Sequence, residues 1–513
     1  MSHPLFEKHR ATLDGALNAI ATRGYWSPFS EMPSPKVYGE TAAADGKAAF
    51  ESHLGQNFEL GQPGQSAWGG KESSPYGVAL DVRYPVCDIE TLIAAGQAAM
   101  KGWQAVGAQG RTGICLEILD RIYQQSFVPA ESHWEKPQGK NPALVMKKHY
   151  EIVGRGVGLV IGCGTFPTWN TYPGLFAALS TGNAVIVKPH SNAILPAAIT
   201  VRTIRAVLAE NGIDPNLVTL CVAESRSATQ ALATHAAVKS VDFTGSNVFG
   251  QWLIDNCKQA QVYAELAGVN NVVIESTDNY KAMLSNLAFT LSLYSGQMCT
   301  TTQAIIVPAG GIETDLGPKS YDEVCADLAA AVSKFLSKPE VACAVLGAIQ
   351  SGATLDRIAE AGSGSLGRVV LASTRIDNPE FPGAEVRTPV LLAVDAADEA
   401  AYMEERFGPV AFVVKAADAQ AAIALSERIV CTHGALTVAL YSTRPEVIDA
   451  MTEASWRGKV ALSINLCGGV FVNQSSAFSD YHGTGGNPSA NASYADSAFV
   501  ANRFRVVQRR YHV

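Results

Sequence analysis

The sequence has 513 residues, of which 47% are apolar and 17% are charged, a balance that fits a large globular protein of two domains and excludes a disordered chain. Its net charge of −8 argues against a nucleic-acid partner, because phosphate contacts require a basic surface. It has no apolar run of about 18 residues and no signal-peptide core at its start, so we expect a cytoplasmic protein that does not enter a membrane.

The N-terminal region is predicted to be an arm on a larger body. Residues 1–85 begin with a short amphipathic helix and continue as coil rich in Gly, Pro and Ser. A regular helical pattern then starts, with Asp88 in the position of an N-cap. A second helix follows it, with Ile114, Ile118 and Ile122 at helical spacing.

The rest of the chain alternates short apolar strands with amphipathic helices. The strand Ala184 to Val187, for example, precedes a helix in LPAAITVRTIRAVLAENG, and such units recur at intervals of roughly 30 residues. This alternation predicts an α/β fold with two doubly wound parallel sheets, joined near residues 265–270. In the second half, a helix from Tyr280 to Tyr294 leads into the loop GQMCT.

That loop contains Cys299, a candidate nucleophile. The ten cysteines occur singly without a CxxC pair, so most are expected to be small buried groups in a reducing compartment. Cys299 differs because Glu265, in AELAGVNN, lies upstream at the end of a predicted element. A thiolate can attack an electrophilic carbon, and a carboxylate base can then activate the water that releases the acyl group.

Two further motifs point to a dinucleotide. In VDFTGSNVFG, Gly245 and Ser246 lie between a strand and a helix, where backbone N–H groups can hold a pyrophosphate; a helix merely capped by Ser246 is the alternative. Lys188 ends the strand in VIVKPHS, where it is either a ribose or phosphate contact or a solvated lysine. Paired His and Cys at metal-ligand spacing are missing from the sequence, so we predict no catalytic metal.

Together these motifs resemble the aldehyde dehydrogenase superfamily across roughly residues 85–475. The interval between Glu265 and Cys299 is the family's usual one. Five matching segments occur in the family's order. They are VKP (Val187 to Pro189), FTGS (Phe243 to Ser246), ELAG (Glu265 to Gly268), GQMCT (Gly296 to Thr300) and EERFGPV (Glu404 to Val410).

The resemblance implies a reaction. Cys299 would attack an aldehyde to give a thiohemiacetal, transfer of hydride to the nicotinamide would leave a thioester, and Glu265 would activate the water that hydrolyses it. Cofactor contacts are implied for eight residues. They are Lys188, Ser191, Gly245, Ser246, Gly250, Leu266, Glu405 and Phe407.

Two positions depart from the family's pattern. Thr165, in GCGTFPTWN, stands where the family usually has the Asn that donates to the oxyanion, so either its hydroxyl or Asn170 would have that role. Ser191 stands where NAD-preferring members often carry a Glu against the ribose hydroxyls. Without that carboxylate a 2′-phosphate is not repelled, and the predicted cofactor is NADP or NAD.

A narrower similarity is carried by GCGTFPTWN, INLCGGVFVNQ and SDYHGTGGNPSANASYADSAF. These segments resemble the PaaN-like branch, which is linked to the degradation of phenylacetate and other aromatic acids. The similarity implies a semialdehyde from ring cleavage, free or linked to CoA, as the small-molecule substrate. Phe166, Trp169 and Tyr172 are predicted to line its channel, with core packing as the alternative.

Three other functions stay open on the sequence. A CoA-acylating dehydrogenase is disfavoured by Glu265, because acylating members tend to lack that base. A thioesterase or esterase would use Cys299 and Glu265 but would need no dinucleotide motif. A non-catalytic relative would explain why Thr165 replaces the oxyanion Asn.

The predicted organisation is an aldehyde-dehydrogenase-like fold with two Rossmann-type domains and a small β oligomerisation flap. The predicted limits are 1–85 for the N-terminal arm, 86–142 and 158–265 for the dinucleotide-binding domain, 143–157 and 496–513 for the oligomerisation strands, and 266–480 for the catalytic domain. The flap segments resemble the strands through which the family pairs subunits, so a homodimer or a dimer of dimers is expected.

Overall fold

The computed structural model describes residues 3–22, 40–122, 134–138, 144–223, 225–266, 268–477 and 482–512. Within these ranges the chain forms two large, mainly parallel β-sheets covered by helices, a three-stranded antiparallel sheet and three two-stranded sheets. This architecture confirms the predicted α/β fold class. The predicted domain limits at 142, 143, 480 and 513 lie outside the described residues.

Helices and strands are numbered here in chain order. Up to the end of the first large sheet they are α1 (Pro4–Lys8), α2 (Arg10–Thr22), α3 (Ala42–Glu51), β1 (Gln65–Gly69), β2 (Tyr84–Cys87), α4 (Ile89–Ala105), α5 (Gly107–Ile122), β3 (Trp134–Gln138), β4 (Leu144–Gly154), β5 (Val157–Ile161), α6 (Tyr172–Ser180), β6 (Ala184–Lys188), α7 (Leu195–Glu210), β7 (Val218–Leu220), α8 (Arg226–Thr234), β8 (Val238–Thr244), α9 (Asn247–Asn256) and β9 (Gln261–Glu265).

The remaining elements build the second large sheet and the C-terminal region. They are β10 (Asn270–Ile274), β11 (Ser276–Thr277), α10 (Tyr280–Ser292), β12 (Thr302–Pro308), β13 (Glu313–Thr314), α11 (Tyr321–Phe335), α12 (Pro339–Val345), α13 (Gly352–Gly362), β14 (Arg368–Leu371), β15 (Arg375–Ile376), β16 (Val386–Arg387), β17 (Val390–Asp395), α14 (Glu399–Tyr402), β18 (Val410–Ala416), α15 (Ala419–His433), β19 (Thr437–Tyr441), α16 (Pro445–Gly458), β20 (Ala461–Ile464), α17 (Val472–Ala477), α18 (Ser497–Ala501) and β21 (Phe504–His512).

The first large sheet has the strand order β7-β6-β5-β8-β9, and all its pairs are parallel. Side chains of a strand point alternately to its two faces. In β5, Leu159 and Ile161 therefore belong to one apolar core, and Val160 belongs to the core on the other face. Both faces are covered by helices, which is why the strand is apolar throughout.

The second large sheet has the strand order β14-β17-β18-β12-β10-β19-β20. Only β14, at one edge, runs antiparallel to its neighbour. The same alternation holds in β12, where Ala304 and Ile306 enter one core and Ile305 and Val307 enter the other. The chain passes from the first large sheet to the second between Glu265 and Asn270, in the segment where the sequence predicted the join.

Helix α10 ends at Ser292, two residues before its predicted end at Tyr294. Tyr294 and Ser295 both have a φ of 52°, so the chain leaves the helix in a left-handed conformation. Gly296 continues this turn with a φ of 64°, and a Cβ there would lie 2.4 Å from the carbonyl oxygen of Gly408. Only glycine fits so close an approach, and the turn directs the chain towards Cys299.

The small antiparallel sheet has the strand order β21-β4-β3. The two segments predicted as oligomerisation strands pair with each other, from Phe504 opposite Gly154 to His512 opposite Met146. Strand β21 is an edge, with Val506 and Val507 exposed. No helix in the described ranges combines the length and the apolar character that crossing a bilayer requires.

A buried ion pair ties the C-terminal region to the first large sheet. Arg503 Nη1 and Nη2 donate to the Asp242 carboxylate at 2.7 and 2.6 Å, and both side chains are buried. The guanidinium also lies 4.3 Å from the ring centre of Tyr263 and 4.4 Å from that of Phe499. Such a paired charge is tolerated in a core only while its partner remains.

We expect Arg503→Met to lower the free energy of unfolding by about 3–5 kcal/mol, because it leaves the Asp242 carboxylate buried without its cation. Urea unfolding followed by circular dichroism measures the change. Arg457→Met is the matched control, since its pair with Glu427 is exposed, and it should shift the midpoint much less. A small shift for Arg503→Met, comparable to the control, would show that the ion pair does not anchor the C-terminus.

Candidate active site

The site lies at the carboxyl ends of the strands of the first large sheet, the edge where open α/β sheets bind ligands. Because β6, β8 and β9 are parallel, their last residues Lys188, Thr244 and Glu265 lie along this one edge. The loop that carries Cys299 comes from the second large sheet, just before β12, and faces it.

The backbone around Cys299 is held by side chains from several elements. Asn270 Nδ2 donates to the carbonyl oxygens of Cys299 and Thr301 at 2.7 and 3.0 Å. Its Oδ1 accepts from the N–H groups of Leu436, just before β19, and of Thr437, the first residue of β19. Gln297 donates through Nε2 to the carbonyl oxygen of Ala348 at 2.9 Å. These bonds fix the backbone that carries the Cys299 thiol, and the residue as a whole is half-buried.

Cys299 and Glu265 meet at a third residue, His482. The Cys299 Sγ lies 3.2 Å from His482 Nε2, and the same nitrogen lies 3.0 Å from Glu265 Oε1. The other ring nitrogen, Nδ1, lies 3.1 Å from the carbonyl oxygen of Ser476. His482 is 1% exposed and Glu265 is 8% exposed, so water competes little for these contacts.

His482 belongs to a C-terminal segment that packs along the end of β9. Asn491 Oδ1 accepts from the Ala264 N–H at 2.7 Å, and the Leu266 N–H donates to the carbonyl oxygen of Ser489 at 2.7 Å. Tyr494, from the same segment, donates to Glu265 Oε2 at 3.4 Å. The segment therefore places a histidine on one carboxylate oxygen of Glu265 and a tyrosine on the other.

Burial and charge compete in setting the protonation of this cluster. Burial raises the pKa of the Cys299 thiol to about 11, although His482 opposes the rise. Burial also disfavours the Glu265 carboxylate, but the charge and hydrogen bond of His482 outweigh it and hold the pKa of Glu265 below its usual range. For His482 burial favours the neutral ring, yet Glu265 and Cys299 raise its pKa well above 6.5. A carboxylate beside an imidazolium is thus the favoured state near neutral pH.

Two groups were predicted as the oxyanion donor, Thr165 and Asn170. Asn170 is buried, and its Oδ1 accepts from the Cys163 thiol at 3.2 Å. Its Nδ2 makes no hydrogen bond of normal geometry within the described residues, although it interacts with the Tyr494 hydroxyl. Asn170 and Glu265 line one cavity, whereas the Thr165 hydroxyl lies beside Cys163 Sγ at 3.8 Å.

The turn from β8 into α9 has the features of an anion site. Ser246 stands at the N-cap position of α9 but its side chain makes no capping hydrogen bond, so the N–H groups of the first turn are not capped by it. Gly250, one turn into the helix, lies against Leu266, since a Cβ there would come within 2.0 Å of Leu266 Cδ2. The close contact brings the start of α9 next to the end of β9.

Lys188, at the end of β6, and Glu405, whose carboxylate accepts from the loop after β9, are the two charged residues predicted to contact the cofactor. Lys188 is partly buried, which lowers its pKa, and it makes no ion pair with any residue that the structure describes. Burial raises the pKa of Glu405 to about 7, an effect that Arg357 opposes, and the Gly268 N–H donates to its carboxylate. Phe407 follows it, with its carbonyl oxygen bonded to Arg357 Nε at 3.0 Å, while Ser191 is exposed.

The aromatic residues predicted to line a channel lie in different places. The Phe166 ring contacts Tyr294 edge-on at 5.8 Å and packs near Met298, so it borders the loop of Cys299. The Tyr172 hydroxyl instead bonds to Thr200 at 3.1 Å in the core of the first domain. Its contacts favour the core-packing alternative. Trp169 is partly buried.

Comparison with known proteins gives one family. The model described as the aldehyde dehydrogenase family matches residues 130–490, well over half of the chain. The crystal structure of an NAD-dependent aldehyde dehydrogenase from Burkholderia multivorans is 52% identical, covers 100% of both chains and superposes with a TM-score of 0.96. A 1-pyrroline-5-carboxylate dehydrogenase from Thermus with bound NAD is 17% identical with a TM-score of 0.68, a likeness of fold alone.

Curated relatives are more distant. Alpha-ketoglutaric semialdehyde dehydrogenase 2 of Azospirillum brasilense is 29% identical over 40% of this chain and 41% of its own length. N-succinylglutamate 5-semialdehyde dehydrogenase of Chromobacterium violaceum is 24% identical over 77% of this chain and 82% of its own. The chain spans about half the length of the first curated relatives that it matches, between 41% and 50%.

Proposed function

The chain belongs to the aldehyde dehydrogenase family, and we propose that it oxidises an aldehyde to the carboxylic acid through a thioester on Cys299, with NAD or NADP as the hydride acceptor. One observation supports this most. The Cys299 Sγ and a carboxylate oxygen of Glu265 both contact His482 Nε2. A nucleophile and a base for water are therefore close together, at the carboxyl ends of the strands where we propose that the dinucleotide binds.

The residues divide the reaction between them. The Cys299 thiol gives up its proton to the solvent as Sγ forms a bond to the aldehyde carbon, and the carbonyl electron pair moves to oxygen, where Asn170 Nδ2 donates to it. The residues predicted to contact the cofactor, among them Lys188, Gly245, Ser246 and Glu405, would hold NAD or NADP, which would supply the acceptor for the hydride that leaves this carbon and so leave a thioester on Cys299. Glu265 then takes a proton from water, the resulting hydroxyl attacks the thioester carbon, and the carbon–sulfur bond breaks to release the acid. The departing sulfur is reprotonated as Glu265 gives up the proton that it holds.

The substrate that we propose is a semialdehyde from ring cleavage of an aromatic acid, free or linked to CoA. Its support is the similarity of GCGTFPTWN, INLCGGVFVNQ and the C-terminal segment to the PaaN-like branch. Two relatives also carry semialdehyde in their names. Water, and not CoA, is the proposed acceptor of the acyl group, because Glu265 lies within the cluster of Cys299.

A spectrophotometric screen tests the proposal, with NAD and NADP each offered to aliphatic, aromatic and CoA-linked semialdehydes. Aldehyde-dependent formation of reduced cofactor is the expected result, and free acid is the expected product. Reduction of NADP as well as NAD would agree with an exposed Ser191 that does not repel a 2′-phosphate. Reduction of NAD alone would show that Ser191 does not determine the cofactor preference. Thioester hydrolysis without any reduction of cofactor would favour a thioesterase.

We expect Asn170→Ala to lower kcat by about 10²-fold, because one oxyanion donor is lost. Thr165→Ala is the paired variant and should cost much less, since its hydroxyl lies beside Cys163. Steady-state rates with saturating aldehyde and cofactor measure both. A larger loss of kcat in Thr165→Ala than in Asn170→Ala would show that Thr165, and not Asn170, donates to the oxyanion.

We also propose that copies of the chain pair through the exposed edge of β21 to form a homodimer or a dimer of dimers. The support is the unpaired edge and its exposed Val506 and Val507.

A further inference from the structure

Cys299, His482 and Glu265 bring three kinds of metal-binding atom together at the centre of the site. The Cys299 Sγ lies 3.2 Å from His482 Nε2, this nitrogen lies 3.0 Å from Glu265 Oε1, and all three atoms lie within 4.8 Å of one another. We propose that they form a three-ligand site for Zn²⁺, and that an ion bound there reversibly inhibits the protein. Binding of the ion is independent of the proposed function, whereas its inhibitory effect rests on that function.

The distances between the three atoms are close to those of a tetrahedral zinc site. Zinc binds a thiolate at about 2.3 Å, and an imidazole nitrogen or a carboxylate oxygen at about 2.0–2.2 Å. With tetrahedral angles, these lengths separate neighbouring ligand atoms by about 3.3–3.6 Å. The separations of 3.2 and 3.0 Å therefore need to grow by only about 0.3–0.4 Å to hold the ion.

Two of the three ligands are oriented by further hydrogen bonds. His482 Nδ1 lies 3.1 Å from the carbonyl oxygen of Ser476, which can only accept, so Nδ1 carries a hydrogen and Nε2 is the atom that can bind a metal. Glu265 Oε2 accepts from the Tyr494 hydroxyl at 3.4 Å, which leaves Oε1 for the ion. Histidine and carboxylate ligands of zinc are commonly held by hydrogen bonds of these two kinds.

The charges of the cluster also suit a divalent cation. Without metal, the favoured state near neutral pH is a Glu265 carboxylate beside a His482 imidazolium. Zn²⁺ would displace the proton on Nε2 and the proton of the Cys299 thiol, and both protons would pass to the solvent. The thiolate and the carboxylate would then neutralise the ion. Among the described residues, the groups that most shift the pKa of these three side chains include no Arg or Lys, so a fixed cation does not compete with the metal.

A second group of candidate ligands lacks these features. His9, Glu117 and Asp120 also lie close together, but the group has no sulfur. The Glu117 carboxylate already accepts from Lys8 Nζ at 2.6 Å and from Arg121 Nη2 at 3.1 Å. Two cations therefore neutralise the carboxylate that a metal ion would need, and this group serves as a control.

An ion bound to the three atoms would stop both stages of the proposed reaction. The Cys299 sulfur would be bonded to zinc and could not attack the aldehyde carbon. Glu265 would be bonded to the same ion and could not take a proton from water. Because the protein supplies only three ligands, water completes the coordination, and a chelator should be able to remove the ion.

Absorption spectroscopy with Co²⁺ tests binding in the full-length protein after treatment with a chelator and dialysis. Co²⁺ binds the same types of ligand as Zn²⁺, and its bond to a thiolate gives a charge-transfer band. We expect one equivalent of Co²⁺ to give this band in the wild type, and Cys299→Ala to abolish it. His482→Gln should raise the Co²⁺ concentration at half-saturation at least about 100-fold, because loss of an outer hydrogen-bond partner alone costs about 10–100-fold.

Cys431→Ala and His9→Gln are the matched controls for these two variants. Cys431 is an exposed thiol, and His9 belongs to the second group of candidate ligands. Both controls should bind Co²⁺ as the wild type does, and Zn²⁺ should displace it. A band that survives in Cys299→Ala, or an affinity in His482→Gln equal to that of the wild type, would show adventitious binding and would overturn the proposal.

Protection of Cys299 from iodoacetamide tests the same site without any substitution. The rate of alkylation is followed by mass spectrometry of the Cys299 peptide, without aldehyde or cofactor. Zn²⁺ at about ten times its dissociation constant, as measured by displacement of Co²⁺, should slow alkylation about tenfold, because only the metal-free thiol reacts. EDTA should restore the rate, and the exposed Cys431 in the same molecule should react equally fast throughout. Alkylation of Cys299 that Zn²⁺ slows less than about twofold would overturn the proposal.

Inhibition of aldehyde oxidation separates this proposal from the proposed function. If reduced cofactor forms in the screen, Zn²⁺ should stop its formation at the concentrations that protect Cys299, and EDTA should restore it. Oxidation that continues while Cys299 is protected would overturn the inhibitory role. If no aldehyde is oxidised but Zn²⁺ still protects Cys299 and requires His482, the metal site is correct and the proposed function is wrong.

Discussion

Cys299→Ala is expected to lower aldehyde oxidation at least about 10⁴-fold, because the carbon–sulfur bond on which the two-stage reaction depends cannot form. The substitution removes one sulfur from a partly exposed position, so folding should not change. Binding of NAD or NADP, followed by quenching of tryptophan fluorescence, should also be kept, since none of the proposed ribose or pyrophosphate contacts involves Cys299.

Cys431→Ala is the control for Cys299→Ala. Cys431 is exposed near the end of α15, and its loss should leave the rate as it is. Appreciable turnover in Cys299→Ala would mean that another group attacks the aldehyde, or that oxidation proceeds without a covalent intermediate.

Glu265→Gln should separate the two stages of the reaction. Reduced cofactor is expected to form in a rapid first turnover, since attack and oxidation do not need the carboxylate as a base for water. Steady-state turnover should then fall by about 10²–10⁴-fold, because the thioester has lost its general base. Stopped-flow measurement of the burst and the following linear phase gives both rates.

Glu427→Gln is the matched control, because Glu427 pairs with Arg457 on the surface away from the site. It should reproduce the wild-type burst and linear phase. An unchanged linear phase in Glu265→Gln would show that another group activates the water, and loss of the burst would show that Glu265 is already needed for attack.

Local sequence patterns were sufficient to predict most of the helices and strands. The strand predicted at Ala184 to Val187 is observed as Ala184–Lys188, and Asp88 caps its helix by accepting from the Thr91 N–H at 2.9 Å. These features depend on periodicity and on contacts between close neighbours in sequence. Helix α16, Pro445–Gly458, was not predicted, although its first residues include a proline.

The features that could not be predicted from the sequence depend on contacts between segments that are far apart along the chain. The end of α10 was missed because the left-handed turn at Gly296 is required by Gly408, far along the chain. Asn270 lies two residues after the matching segment ELAG, but its bonds to the Cys299 loop are visible only in three dimensions. His482 lies in the segment SDYHGTGGNPSANASYADSAF, yet nothing in the spacing of its residues indicates that the segment folds back onto the end of β9.

Peptide mass spectrometry of Glu265→Gln, mixed with aldehyde and NAD or NADP and quenched in acid, tests the central claim most directly. We predict an acyl group on the peptide that contains Cys299, in an amount equal to the burst of reduced cofactor and absent when the cofactor is omitted. An unmodified Cys299 alongside reduced cofactor, or an acyl group on a different residue, would contradict the account.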